Sequence, residues 1–377
     1  FSNTESGFLT LKAWMEDIAE KHGKTAVIPG MEPTGHYWFA LGKFLQDSGM
    51  KPVHVNPHHV KKSKELDDNN PNKNDRKDPK TIAALVNEGR FSYPYIPTGI
   101  YAEIRSLSNL RFQTQEEVTR IKNRIARWFS IYFPEYKDVY VDLKAVSGRM
   151  VLKAAPLPED IVKLGAEGVN QIWRNAKLRG AGMKRAKTLV SAAEHSVGSK
   201  EAPEAARIEL KHLLGDMDVY TARLEELVEK LENKLKEIPY IDKLLEIKGI
   251  GMITVSGFIA EVGDIGRFDN PKQLQKLAGY AIVANDSGKH NGESRISYRG
   301  RKRLRYVLYE AAISLVGKNT EFRAIHEYYR TRKENPLKKM QSVVAVACKV
   351  IRVFYTILTK GVDYDAGKLL GDIRHRK

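Results

Sequence analysis

Two stretches of this chain repeat residues at alternating spacings of three and four, and no other feature narrows the possible folds as far. Ile104, Leu107, Arg111, Thr114, Val118, Ile121, Ile125, Trp128 and Tyr132 form the first, and Leu210, Leu214, Met217, Thr221, Leu224, Val228, Leu231, Leu235 and Ile238 the second. Residues so spaced fall on one side of an α-helix, and over about four heptads this is the a/d pattern of a coiled coil. The two seams can close on each other or on a second subunit, or they can belong to ordinary amphipathic helices on a bundle core. The spacing leaves all three open. Pro239 ends the second helix, because proline lacks the N–H an α-helix needs. Residues 139–200 between the stretches read as helical and carry no motif.

The flanks differ from this middle. Residues 1–100 read as α/β. Leu9–Lys21 has helical spacing, Thr25–Ile28 is a strand-like run ending at Gly30, and Pro33-Thr34-Gly35 turns the chain into a helix over His36–Ser48. Pro52–Pro57 is a second strand-like run. Strand, helix, strand in this order predicts parallel pairing with a crossover. Residues 60–78 are polar and read as a loop through Asn69-Asn70-Pro71-Asn72, with a helix after Pro79. Residues 241–377 read as a compact, mostly helical domain with the densest basic stretch. Such a chain of 377 residues predicts two or three domains.

A hydrophobic content of 42% excludes wholesale disorder. The formal charge of +17 points to a polyanionic partner, since basic side chains displace counterions from phosphates. Cys348, the only cysteine, excludes an intrachain disulfide and a cysteine zinc site. It reads as a core thiol. Lys349 and Arg352 interrupt the most apolar run, and no secretory signal is visible, so the sequence predicts a cytoplasmic protein without membrane contact.

Three carboxylates stand out near the front. Glu32 directly follows the first strand-like run, and Asp75 and Asp78 lie in Lys73-Asn74-Asp75-Arg76-Lys77-Asp78-Pro79 at a helix start. Carboxylates converging from strand ends and helix starts are what a Mg²⁺ site for phosphate chemistry requires. Asp78 can equally be a helix cap, and Glu32 a solvated turn residue. Adjacent His58 and His59 would point to opposite faces of an extended segment, which suits surface or nucleic-acid contact better than one shared ion.

The segments Gly30-Met31-Glu32-Pro33-Thr34-Gly35-His36-Tyr37-Trp38, Val55–Lys61 and Lys73–Asp78 resemble, in order and spacing, the amino-terminal part of the insertion sequence 110 family of transposases. The resemblance implies a RuvC-type, ribonuclease-H-like domain with an Asp-Glu-Asp-Asp metal set for Mg²⁺. Glu32, Asp75 and Asp78 match its Glu and two later Asp, and its first Asp belongs to a strand upstream of Phe1. Glu261–Ile265 and Gln273–Tyr280 resemble the family's carboxy-terminal transposase domain.

Lys248-Gly249-Ile250-Gly251 places two glycines between helical segments, either as a tight turn or as a helix-hairpin-helix element whose backbone N–H groups meet a phosphate. From Asp286 to Arg305 a glycine-punctuated loop runs into a helix and carries Lys289, Arg295, Arg299, Arg301, Lys302, Arg303 and Arg305. Fixed guanidinium groups stabilise the charge of a phosphoryl transition state. A serine beside them can be a turn residue or a nucleophile. By resemblance, Ser287 before Gly288 stands where the family carries its nucleophilic serine; Ser294 and Ser297 are local competitors. Tyr306 with Tyr309, Tyr328 with Tyr329, and Phe354 with Tyr355 read as core or interface residues, one or two of them as base-stacking groups.

The sequence therefore predicts an α/β plus α protein: a RuvC-type ribonuclease-H-like domain (1–100), a coiled-coil region (101–240) and a helical serine transposase domain (241–377). The resemblance implies excision and insertion of a mobile element by strand exchange between element-end and target DNA, through a serine–phosphate intermediate. It also implies an RNA guide (bridge RNA) from the element's own end, a homo-oligomer (dimer or tetramer) in which the acids of one subunit meet the serine of another, and a nucleoid-associated prokaryotic protein. Two rivals stand beside it: a structure-selective nuclease of the Holliday-junction resolvase type, and a non-catalytic nucleic-acid-binding protein.

Overall fold

The computed structural model describes residues 1–374 except 34, 69–76, 142, 144, 284–285, 288–289 and 292–294. They divide into two units, Phe1–Thr98 and Gly99–Lys377.

The first unit holds four helices, α1 (Glu5–Lys21), α2 (Trp38–Asp47), α3 (Pro57–Asp68) and α4 (Lys77–Asn87), and two short strands, β1 (Gly30–Met31) and β2 (Val53–His54). The strands pair in parallel, Gly30 opposite Val53 and Met31 opposite His54, with α2 in the crossover as the strand-helix-strand order predicts. Two local expectations are corrected. Thr25–Ile28 is not a strand: the ladder begins at Pro29, whose carbonyl accepts from the Val53 N–H at 2.9 Å, and Ile28 is exposed. The polar stretch after residue 60 is not a loop throughout, since α3 runs to Asp68 and α4 starts at Lys77. Asn56-Pro57 is the overlooked signal. The Asn56 side chain accepts from the His58 N–H at 2.9 Å, and Pro57 opens the helix where its missing N–H costs nothing. His58 and His59 thus sit, exposed, in a helical first turn rather than on an extended segment.

The core of this unit is Val55, Val60 and Leu85, with Ile82, Val86 and Phe91 around them. Helix α4 lies directly on β1. A Cβ at Gly30 would stand 2.6 Å from Val86 Cγ2 and 3.2 Å from Ile82 Cγ2, so glycine is what lets helix and strand approach.

In the second unit come α5 (Gly99–Tyr132), α6 (Tyr136–Val139), α7 (Val146–Ala154), α8 (Pro158–Asn175), α9 (Met183–Glu194) and α10 (Pro203–Leu235). The two long helices, α5 and α10, are the two heptad stretches, and they pack on each other within the chain. They run antiparallel: at one end Trp128 Nε1 donates to the Ala206 carbonyl at 3.0 Å, and at the other Ile104 shares a core with Leu231 and Leu235. Beside the first of these ends, Trp128, Phe129, Phe133 and Tyr136 join Val151, Trp173, Leu189 and Leu213 in a second core, so the motif-free residues 139–200 form a helical body on the long pair. Leu231→Ala should cost about 2–5 kcal/mol, as expected for a buried leucine truncated to alanine. Denaturant unfolding checks this, and a loss independent of protein concentration is expected because the seam closes within one chain.

The chain ends in α11 (Ile241–Leu245), α12 (Met252–Val262), α13 (Pro271–Leu277), strands β3 (Ile282–Val283), β4 (Asp286–Ser287), β5 (His290–Asn291) and β6 (Arg295–Ile296), then α14 (Lys302–Lys318), α15 (Thr320–Thr331), α16 (Lys339–Lys360) and α17 (Ala366–Arg374). By length and composition alone α16 could cross a bilayer, contrary to the expectation from Lys349 and Arg352. Instead Val343, Val346, Val350, Ile351, Phe354 and Ile357 bury its apolar face against Phe258, Leu308 and Leu315. Cys348 packs against the same core, and burial pushes its thiol up to about 11, which keeps it protonated and unreactive near neutrality.

Candidate active site

Glu32 follows β1 directly, and strand alternation places it on the same face as Gly30, the face that α4 covers. On α4, Asp78, Ile82 and Val86 lie four residues apart and share one side of the helix. Because Ile82 and Val86 meet Gly30, Asp78 lies one turn further along the β1-facing side. Two carboxylates, both partly exposed, are thereby turned toward one side of the sheet. Asp78 accepts an ion-paired hydrogen bond from Lys64 Nζ on α3. Asp75 lies outside the described residues. Among the described residues no group of three or more His, Cys, Asp or Glu converges closely enough to hold a metal ion. Hard carboxylates at a strand end and a helix start nevertheless fit a small divalent cation, which is often held by one or two carboxylates and completes its shell with water and phosphate.

Ser287 lies on β4 in an antiparallel hairpin, opposite His290, with Asp286 opposite Asn291. Outside it, β3 pairs with β6, Ile282 opposite Ile296 and Val283 opposite Arg295. The stretch before α14 is therefore a β-ribbon at its described positions rather than the expected loop. Its base is tied closely to α13 and α14. The Ser297 N–H donates to Ala281 O at 2.8 Å, Tyr298 N–H to Gly279 O at 3.1 Å and Arg301 N–H to Leu277 O at 2.7 Å. Gly279 has φ +75°, and a Cβ at Gly300 would stand 2.5 Å from the Gly279 nitrogen and the Leu277 carbonyl. Both glycines are needed for the two ends of the ribbon to meet.

Several arginines of the basic segment hold this base together. Arg305 Nη1 donates to Ala278 O at 3.0 Å and Tyr298 O at 3.2 Å, one carbonyl on each side of the ribbon, and its guanidinium lies 5.4 Å from the centre of the Tyr298 ring. Arg301 Nη1 donates to Glu261 O at 2.6 Å and stands 3.6 Å from Glu261 Oε2, joining α14 to α12. Arg303 bonds Asn109 Oδ1 on α5 and lies 4.4 Å over the Phe112 ring. Arg295, Arg299 and Lys302 are exposed; Lys289 and Ser294 are outside the described residues. Ser297 Oγ is turned to the Gly279 carbonyl at 3.3 Å. We expect Arg305→Ala to loosen the ribbon, with faster amide exchange over residues 281–298 and a loss of about 2–4 kcal/mol, since hydrogen bonds to a charged donor are worth roughly 1.5–3 kcal/mol each.

The glycine turn between α11 and α12 has Gly249 at φ +105°, its carbonyl held by Ser314 Oγ at 2.7 Å. Gly251 is the extended residue ahead of α12, with no side-chain cap on that helix end and nothing within 4 Å of where its Cβ would stand. Gly251 and Lys248 are thus exposed beside the uncapped N–H groups of α12, while Ile250 between the glycines is buried and Gly249 packs against α14. Of the aromatic pairs, Phe354 is buried edge-on against Phe258, whereas Tyr306 is exposed next to Phe112. Sequence reading missed Lys64. Its pairing with Asp78 joins two helices and leaves no periodic trace.

Two family models match the chain, in order. One for DEDD transposases of the IS110 type, described as "Transposase", matches residues 1–134, and "Transposase IS116/IS110/IS902 family" matches residues 241–330. Together they span more than half of the chain. An insertion element IS116 uncharacterized 44.8 kDa protein of Streptomyces clavuligerus is 24% identical over 76% of this chain and 71% of its own length. An insertion element IS900 uncharacterized 42 kDa protein of Mycobacterium paratuberculosis is 22% identical over 76% and 72%. With the strand-end acids in the first matched segment and the basic ribbon in the second, the chain belongs to the IS116/IS110/IS902 family of insertion-element transposases.

Proposed function

We propose that this transposase excises and inserts its element by DNA strand exchange through a covalent link at Ser287, in a RuvC-type arrangement assisted by Mg²⁺ at Glu32, Asp75 and Asp78. The observation that carries the reading is the position of Ser287: on a β-ribbon whose base Arg305 fastens, in a segment that also carries exposed Arg295, Arg299 and Lys302. In the proposed step Ser287 Oγ attacks a DNA phosphorus, the Oγ–P bond forms and the P–O bond to one deoxyribose oxygen breaks. The serine proton passes to that departing oxygen. Attack by the new partner strand's hydroxyl reverses each change, so rejoining needs no external energy. The exposed cations hold the phosphate and offset its developing charge. A bound Mg²⁺ supplies further charge neutralisation at the phosphate. Glu32, Asp75 and Asp78 would hold the cation, and Lys64 pairs with Asp78 without it.

The same reading includes element-end and target DNA as substrates, a guide RNA, and a homo-oligomer as the working form. Denaturing electrophoresis after incubation with a nicked exchange site tests it. A protein–DNA adduct should accumulate, with its peptide mass mapping to Ser287. An adduct at Ser294 or Ser297 would keep the chemistry and move the residue. Cleavage without adduct would leave a metal-dependent nuclease, and neither would leave a binding protein.

A further inference from the structure

We infer that the α8–α9 turn is a second DNA-binding surface that grips the backbone of duplex DNA. The inference rests on the chain being a DNA transposase and not on Ser287. This part of the chain, between the two matched segments, carries no motif. Between Gly168 and Ala193 there is no acidic residue, and six cations, Arg174, Lys177, Arg179, Lys184, Arg185 and Lys187, are all exposed. Three cations elsewhere in the same unit do have acidic partners, Lys153 with Asp218, Arg207 with Asp160 and Lys230 with Glu226. Of these six, Arg185 alone has a side-chain hydrogen-bond, ion-pair or ring partner among the described residues, the Tyr140 ring at 5.6 Å.

The turn presents these charges on a fixed frame. Trp173 is fully buried with its Nε1 donating to Ser147 O at 2.9 Å, and Ala186 and Leu189 are buried on α9. Helix α8 closes with Lys177 N–H to Arg174 O at 2.9 Å and Leu178 N–H to Trp173 O at 3.0 Å. That is a Schellman closure, in which the left-handed residue is normally glycine. Here it is Lys177 at φ 53°, a cation kept where a side chain is disfavoured. Gly180 (φ +83°) and Gly182 bring the chain into α9, whose first N–H groups have no side-chain cap and lie beside Lys184 and Arg185. Lysine, arginine and uncapped helix-start N–H groups together suit phosphate oxygens.

The composition also selects the form of nucleic acid. No aromatic residue lies between Arg174 and Lys187, so the turn offers no platform for stacking single-stranded bases. No large apolar residue from 163 to 196 is exposed, which disfavours a lipid surface or an apolar protein partner. A helix start flanked by exposed cations suits the wide major groove of B-form DNA, whereas the A-form groove of duplex RNA is too narrow to admit a helix.

The test is the salt dependence of binding of the full chain to a random-sequence DNA duplex, followed by fluorescence anisotropy. The triple variant Lys177→Gln, Arg179→Gln, Lys184→Gln should lower the slope of log Kd against log salt by about 2–3, close to one per lost phosphate contact. A control, Lys230→Gln, Lys234→Gln, Lys236→Gln, removes the same charge from lysines paired with Glu226, Glu237 and Glu232, and its slope should change by less than about 1. Equal slopes for the two variants would overturn the proposal, as would an unchanged slope in the first. Tighter binding of duplex RNA, lost in the same variant, would overturn the assignment to DNA. Lys177→Gly separates binding from folding, because it relieves the left-handed backbone. The thermal midpoint should hold or rise while DNA affinity falls; unchanged affinity would sink the role of Lys177.

Discussion

Ser287→Ala should bind element-end DNA within about twofold of the wild-type affinity and yet yield neither cleaved strands, exchange products nor covalent adduct. Binding should persist because the exchange removes no charge, and phosphate affinity comes from the cations. Arg295, Arg299 and Lys302 remain, and the Arg305 fastening of the ribbon, to the Ala278 and Tyr298 carbonyls and the Tyr298 ring, does not involve Ser287. Chemistry should vanish because no hydroxyl remains there to form the phosphate ester. Filter binding with a parallel cleavage assay gives both readouts. Full cleavage by Ser287→Ala would remove the serine from the mechanism, and joint loss of binding and cleavage would instead point to a collapsed ribbon. The amide-exchange profile over residues 281–298 separates that last outcome from a chemical defect.

The ease with which each part could be read from sequence follows from the length of the physical pattern behind it. Helices α5 and α10 were legible because an apolar seam repeated over about four heptads leaves little doubt about periodicity. Their pairing with each other was not, because a seam looks the same whether its partner is in the same chain or another. It is the Trp128–Ala206 bond and the shared core of Ile104 with Leu231 that identify the partner. The ribbon around Ser287 escaped notice for the opposite reason. Its strands are two residues each, without alternating apolar residues, and their register is held by contacts at the base, Gly279 and Gly300 among them.

Charge was the most visible property and the least informative about role. The run from Arg295 to Arg305 reads as one basic patch, but Arg301, Arg303 and Arg305 bond Glu261, Asn109 and two backbone carbonyls. These partners lie tens to nearly two hundred residues away in sequence for Arg301 and Arg303, beyond any local pattern. The α8–α9 cations are as plain in the sequence and form no motif; what distinguishes them is that the fold gathers six exposed cations about one turn, in a stretch with no acidic residue between Gly168 and Ala193.

Glu32→Gln should reduce metal-dependent strand cleavage by at least ~100-fold, the scale expected when a group that helps stabilise transition-state charge is lost. Asp78→Asn and Asp75→Asn should act alike, while DNA binding changes little because the phosphate-binding cations are untouched, and the unfolding midpoint shifts little because a partly exposed ion pair such as Lys64–Asp78 is worth at most about 1 kcal/mol. Activity alone does not separate loss of metal from loss of geometry, so Mn²⁺ binding measured by calorimetry is the second readout. Lys64 supplies the discriminating variant. Its ammonium is paired with Asp78, and a cation arriving at that carboxylate must compete with it. Lys64→Met should therefore tighten Mn²⁺ binding, whereas Asp78→Asn should weaken it. If Asp78 were only a helix-start carboxylate with no metal to hold, both variants would leave Mn²⁺ binding unchanged and Asp78→Asn would alter only stability, by about 0.3–1 kcal/mol through the helix dipole. Opposite shifts in the two variants, with cleavage lost in Glu32→Gln, would place the metal on the α4 side of the sheet.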